Sequence, residues 1–288
     1  FFILLLSVLP FAVSAKNDGG AHCFVLWGEG GVANYIGKTS GAKAAIGGGG
    51  ALGLGYEYRA NHFLLQTGLG ARYTNTGLKI NDGNYDIFGQ FDSENWEIQK
   101  FQYRERDRRD SYNQVALQIP VLVGAHFDVF YFLVGAKLGV NVWNQTKAEG
   151  KYRTLGYYDE FIDPFENMDN HKFFTEGTIK NTTTNPLSIN VAASAEVGAE
   201  FNLPAQRGSA NRYLRVAAFL DFNILDDTKK SNNALITVPA TYAGISKLQD
   251  VKQVDYLHSS AATNPLRQLF AGVKVTFLIS SKVRYNCV

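Results

Sequence analysis

Beyond residue 20 the chain alternates, residue by residue, between apolar positions and small or polar ones. The longest run is Leu187 to Asn202. Leu187, Ile189, Val191, Ala193, Ala195, Val197, Ala199 and Phe201 share one face; Ser188, Asn190, Ala192, Ser194, Glu196, Gly198, Glu200 and Asn202 share the other. A period of two marks a strand whose faces meet different surroundings. A run this long exceeds the roughly 5–6 residues of an ordinary soluble strand, whereas a tilted membrane strand needs about 9–11. The same alternation recurs to predict strands at about 22–36, 46–59, 63–79, 112–126, 129–146, 187–203, 212–225 and 265–280, the first weakened by its glycines. Tight turns at 60–62 and 127–129 and a short turn at 204–212 contrast with long loops at 81–111, 147–186 and 227–264. An even number of long strands, with turns at one end and loops at the other, predicts an all-β fold: an eight-stranded antiparallel up-and-down transmembrane β-barrel with short periplasmic turns and long extracellular loops.

Aromatic positions sharpen that expectation. Tyr56, Tyr58, Phe127, Phe132, Phe201 and Phe277 fall at the turn-side ends of apolar faces, and Tyr73 and Phe222 near the loop side. Two rings of aromatics would anchor a barrel at its two interfaces. The opposite faces carry Glu57, Arg59, Arg72, Lys137, Glu196, Glu200, Arg215, Asp221 and Lys274, with Glu29 a less certain member. An eight-stranded barrel is just wide enough inside for side chains to fill it. Charges of both signs in that space should pair, because an unpaired buried charge is costly. A plugged, salt-bridged lumen is therefore expected, with an ion path past Lys137 and Glu196 as the alternative. The inward glycines would leave room for large neighbours or waters.

Residues 1–15, FFILLLSVLPFAVSA, form an apolar stretch ending in small residues before Lys16, as an export signal does. With no initiator Met and no basic residues ahead of it, the sequence is expected to start inside that signal. The rest, 16–288, is expected to be one barrel domain in the outer membrane of a Gram-negative bacterium. In the whole 288-residue chain, charged residues make up 19% and the net charge is +2. That balance gives no bulk attraction for nucleic acid. Two cysteines, Cys23 and Cys287, are too few for a disulfide-built fold, but both lie near the expected periplasmic end and could pair with each other.

Catalytic chemistry finds little support in the sequence. Hydrolytic barrels need a nucleophile or activated water within reach of a His and a carboxylate. His22, His62 and His126 sit at the turn end; His171 and His258 lie in loops with acids nearby, as loop composition often produces. No catalytic residue, metal or cofactor is expected. The acidic run Asp159–Glu166 lacks the spacing of a dedicated calcium loop, and Gly47–Gly50 lacks the Lys-Ser/Thr and helix of a phosphate loop. Arg104–Asp110 mixes signs. It reads as a self-paired extension of the fourth strand, or as a contact for lipopolysaccharide phosphates.

At Gln118-Ile119-Pro120-Val121-Leu122-Val123-Gly124 the chain resembles the PorT-like outer membrane β-barrel family, which carries a similar apolar-Pro-apolar strand after its second long loop. Phe270-Ala271-Gly272-Val273-Lys274-Val275-Thr276-Phe277 is similar to that family's closing strand. The resemblance implies an integral outer-membrane barrel without a common activity, some relatives serving secretion or adhesion. The chain departs from many barrels by continuing to Val288, so Phe277 or Tyr285 would have to serve as the terminal assembly signal. The expected function is non-enzymatic: surface binding or envelope integrity through loops rich in aromatics. An accessory subunit of a secretion or uptake complex, or a narrow porin-like channel, is the alternative. Expected partners are outer-membrane lipid and lipopolysaccharide, with proteins at the loops or barrel wall.

Overall fold

In a computed structural model the described residues are 20–91, 96–204, 210–228, 235–237, 246–247 and 252–283. The leading apolar stretch, Cys287 and Tyr285 lie outside them. The strands are β1 (Ala21–Ile36), β2 (Ala42–Ala60), β3 (Phe63–Ile80), β4 (Gly83–Ile87), β5 (Gln90–Phe91), β6 (Glu97–Ile98), β7 (Lys100–Phe127), β8 (Phe130–Tyr157), β9 (Gly177–Asn185), β10 (Ser188–Leu203), β11 (Ala210–Asn223), β12 (Ile236–Thr237), β13 (Ser246–Lys247), β14 (Lys252–Gln253) and β15 (Arg267–Val283). No α-helix is present among the described residues, and none of their helices is long and apolar enough to cross a membrane.

Eight of these strands close an antiparallel ring in the order β1-β2-β3-β7-β8-β10-β11-β15, with β15 pairing back onto β1. These are the eight period-two segments of the sequence. Each ring strand pairs with a neighbour on both sides, so the ring has no free edge. The hairpins β2–β3, β7–β8 and β10–β11 turn at one end, the first two through Asn61 and Asp128 at positive φ (51° and 56°). Asn and Asp tolerate this left-handed backbone better than other residues with a side chain.

The strands β7 and β8 depart from the expected bounds. Sequence alternation stops them at residues 112 and 146, yet each runs for 28 residues, into what read as loops. β4 pairs outside β7 and β9 outside β8, giving a four-stranded sheet that rises past the ring. Two β-bulges explain the misreading. Val142 stands unpaired between the pairs Val115↔Trp143 and Ala116↔Asn141, and Asp107-Arg108 stand against Gly150 alone. Each bulge shifts which residue parity faces inward, so the periodic signal breaks although the strand continues. The Arg104–Asp110 run is thus strand.

Inside the ring, the turn end holds apolar groups beside charged ones: Cys23, Val25, Trp27 and Leu278 form one cluster, and Leu64, Leu122, Tyr131, Leu133 and Ala217 another. The interior is therefore not uniformly small and polar as expected. Trp27 explains the inward glycines of its neighbours. A Cβ at Gly53 would lie 2.2 Å from its ring and one at Gly68 2.7 Å, so these glycines make the seat the indole fills.

Candidate functional site

The ring's interior brings together all nine charged residues singled out in the sequence, together with Glu29. At the turn end two arginines and two glutamates form a closed square. Arg59 donates from Nε to Glu57 (2.7 Å) and through both Nη atoms to Glu200 (2.8 and 2.6 Å). Arg215 donates through both Nη atoms to Glu57 (2.6 and 2.9 Å) and from Nε to Glu200 (2.7 Å). Paired, two-pronged contacts of this kind are the strong form of the ion pair. Arg215 also stacks on the Tyr131 ring, 4.3 Å from its centroid.

Midway along the ring, Lys274 Nζ donates to Glu196 (2.7 Å) and lies 3.7 Å from Glu29; the Tyr131 hydroxyl donates to Glu196. Lys137 Nζ bridges Glu29 (2.9 Å) and Asp221 (2.8 Å). Asp221 also meets Arg72 at 3.4 Å and accepts from Ser194 Oγ at 2.7 Å. Gln118, with its amide oxygen turned toward Arg72, accepts from that guanidinium at 3.1 Å. Five carboxylates (Glu29, Glu57, Glu196, Glu200, Asp221) thus balance five cations (Arg59, Arg72, Lys137, Arg215, Lys274), drawn from seven strands. Beside Trp27, Glu29, Lys137 and Lys274 lies a cavity of about 10 Å³, room for about one water.

Glu29, Gln118, Tyr131 and Ser194 belong to this network as fully as the residues read from charge and parity. Gln118, Tyr131 and Ser194 shared the inward parity, and only their neutrality hid them. The glycines around Glu29 obscured its strand.

Outside the ring the polarity reverses. Leu52 is 72% exposed, Ile189 71%, Val197 60% and Val273 55%, and every ring strand carries such residues on its outer face. Of the aromatics expected at the interfaces, Tyr73, Phe127, Phe132 and Phe201 are exposed; Tyr56, Tyr58, Phe222 and Phe277 are half-buried on the same outer face.

A second charge cluster lies in the Arg104–Asp110 run, self-paired as the sequence suggested, but it is buried, which the sequence did not show. Arg108, which the bulge turns inward, donates to Glu105 (2.8 Å), to Asp110 (3.0 Å) and to the Val254 carbonyl (2.5 Å). Asp110 in turn accepts the Tyr256 N–H at 2.7 Å. These contacts tie residues 252–266, a strap, across the loop end of the ring. Tyr256, Leu257 and Leu266 pack there with Tyr35, Leu78, Ile80, Tyr112 and Leu235. Two carboxyls share one guanidinium here; burial raises the Glu105 and Asp110 carboxyls above their usual range, against the opposing pull of Arg108. At the strap's far edge Asp227 is pushed up to about 7, by burial first and then by Asp226, with Arg72 acting the other way.

The loop aromatics mostly pack on one another. Phe101, Tyr103 and Phe173 are buried with Ile98 and Ile236, and Tyr158 and Phe161 meet Phe165 edge to face. Phe88, Trp96 and Phe161 remain exposed. His22 contacts Tyr56, His62 the His126 carbonyl, His126 the Asn61 carbonyl and His258 Asp255; His62 and His126 neighbour each other at the turn end, and His171 stacks on Phe173. Among the described residues no three His, Cys, Asp or Glu side chains are placed to hold a metal ion. Cys23 is buried and unpaired among them, and its expected partner Cys287 lies outside.

No protein-family model matches the chain, and no curated protein matches it. The resemblance carried by Gln118–Gly124 and Phe270–Phe277 gains nothing from either comparison.

Proposed function

We propose that the chain is an integral β-barrel of a Gram-negative outer membrane, of the PorT-like kind, closed to ions and acting through its loop end in surface binding or envelope integrity. One observation carries this reading: the ring is inside out. Its ten charges point inward while a band of Leu, Val, Ile and Phe points outward, the reverse of a protein folded in water. A closed ring leaves no backbone group unpaired toward lipid. The short turns then face the periplasm and the β7–β8 sheet stands outside the cell, fed by an export signal in residues 1–15. The paired charges and the small cavity favour a closed interior over a narrow channel. No catalytic role is assigned.

The test is to refold the chain into lipid vesicles and planar bilayers. A heat-modifiable gel shift and protection of the ring from protease are the expected signs of insertion. Inserted protein that gives no conductance steps supports the closed lumen; reproducible steps overturn it, and failure to insert overturns the barrel.

A further inference from the structure

The outer face of the four-stranded extension continues the lipid-facing surface of the ring, and its chemistry changes in order along the strands. Above the apolar band stand Tyr73 and Trp143. Next comes an uncharged polar tier, in which Asn113 accepts from Tyr73 Oη (3.0 Å) and from Asn75 Nδ2 (2.7 Å), with Gln145 and Thr184 in register beside it. Above that tier runs a row across five strands. Lys43 faces Lys79, Lys79 faces Arg109, Arg109 faces Glu149 and Glu149 faces Lys180, all exposed. Lys147 stands just below this row and Arg106 just above it. Directly opposed residues share a face, so these cations form one surface. Among the described residues Lys43, Lys79, Arg106, Arg109, Lys147 and Lys180 make no ion pair; higher up, Lys151 and Arg153 do, with Glu176 and Glu166.

We infer that this face binds the phosphorylated sugar headgroup of a glycolipid in the leaflet at the loop end. The inference rests on the barrel reading. Trp143 marks the hydrocarbon boundary, and Lys147 lies four residues further on. At about 3.3 Å per residue and a tilt near 40° that places Lys147 about 10 Å above the boundary, and the row at Glu149, two residues further on, about 15 Å above it. Amides and hydroxyls at sugar depth, then cations at phosphate depth, match a headgroup whose phosphates are carried on sugars. Arg109 adds a planar fork suited to phosphate, and the surrounding lysines add point charges.

The experiment uses the full chain inserted in vesicles containing bis-phosphorylated lipid A, or the same lipid with its phosphates removed. Bound glycolipid is counted after re-extraction in mild detergent. Wild type should retain the phosphorylated form. The exposed quadruple variant K79Q/R109Q/K147Q/K180Q should weaken retention by roughly tenfold or more, since each surface cation contributes separately. The charge-preserving variant K79R/R109K should retain it. Equal retention by wild type and the quadruple variant, or equal retention of the dephosphorylated lipid, overturns the inference. So does displacement by millimolar inorganic phosphate, which would assign the face to free phosphate. Insertion of every variant is checked by the heat-modifiable shift. If wild type does not insert, the barrel reading fails; if it inserts but shows no phosphate preference, only this inference fails.

Discussion

The ring and the sheet that rises from it share two strands, β7 and β8, yet they bury opposite things. Within the ring the interior is organised around ten paired charges, and the apolar residues face outward. In the extension the interior is aromatic, with Ile98, Phe101, Tyr103 and Phe173 at its centre, and the cations face outward. The switch occurs without a break in the strands. It follows what lies outside each part: under the proposed barrel, lipid tails around the ring, and polar headgroups and water around the extension. Buried ion pairs are not confined to the ring, since Arg108 sits between Glu105 and Asp110 in the extension. The difference is scope. The ring's network joins seven strands, whereas the Arg108 cluster joins one strand to one strap.

That difference in scope is testable by the same substitution in both places. Arg215→Ala leaves Glu57 and Glu200 with only Arg59 between them, and stranding a buried charge costs about 3–5 kcal/mol. Because these groups join β2, β10 and β11, the loss should appear in global unfolding, as a lower denaturant midpoint in detergent or vesicles. Arg108→Ala strands Glu105 and Asp110 by the same chemistry, at a cost of about 3 kcal/mol. Here the ring should stay folded, and protease should gain cuts within residues 252–266 while the heat-modifiable shift persists. Equal global losses from both variants would erase the distinction between the two regions.

The ring was far more legible in the sequence than the extension, for a physical reason. Alternation survives wherever the two faces meet different media over a whole strand, as from Leu187 to Asn202. It fails where a bulge shifts parity: Val142 and the Asp107-Arg108 pair each turn the pattern over. Arg108 was visible as a charge in a mixed run, but only the bulge opposite Gly150 sends it inward, and its partner at Val254 is 146 residues away in sequence. Charge and parity found nine residues of the interior network. They missed Gln118, Tyr131 and Ser194, which take part through neutral groups.

Asp227 lies between the two regions, and its titration sharpens the border. Its carboxyl receives Asn223 Nδ2 at 3.2 Å on Oδ1, while Oδ2 is buried without a hydrogen-bond partner among the described residues. Its pKa is pushed up to about 7, above its ordinary value of 3.8. The folded state therefore holds the proton more tightly than the unfolded chain. This group's contribution is fully present below pH ~4 and lost as pH rises through ~7. Asp227→Asn should remove that dependence and raise stability above pH 7 by about 3–4 kcal/mol. The measurement is the midpoint of strap release, by hydrogen exchange of residues 252–266, at pH 5 and pH 8. A wild-type strap equally stable at both would refute the assignment.

The smallest effect belongs on the outer surface of the extension. Lys151 and Glu176 meet at 2.9 Å, but their side chains are 56% and 67% exposed. Water screens such a pair, and holding two long side chains together costs entropy, so exposed pairs contribute about 0.5 kcal/mol or less. Glu176→Gln should leave the denaturant midpoint unchanged within error, in high and low salt alike. A loss comparable to that of Arg108→Ala would show that the outer face of the extension above the basic row is covered by something other than water. The contrast in burial drawn between the two regions would then have to be redrawn around that cover.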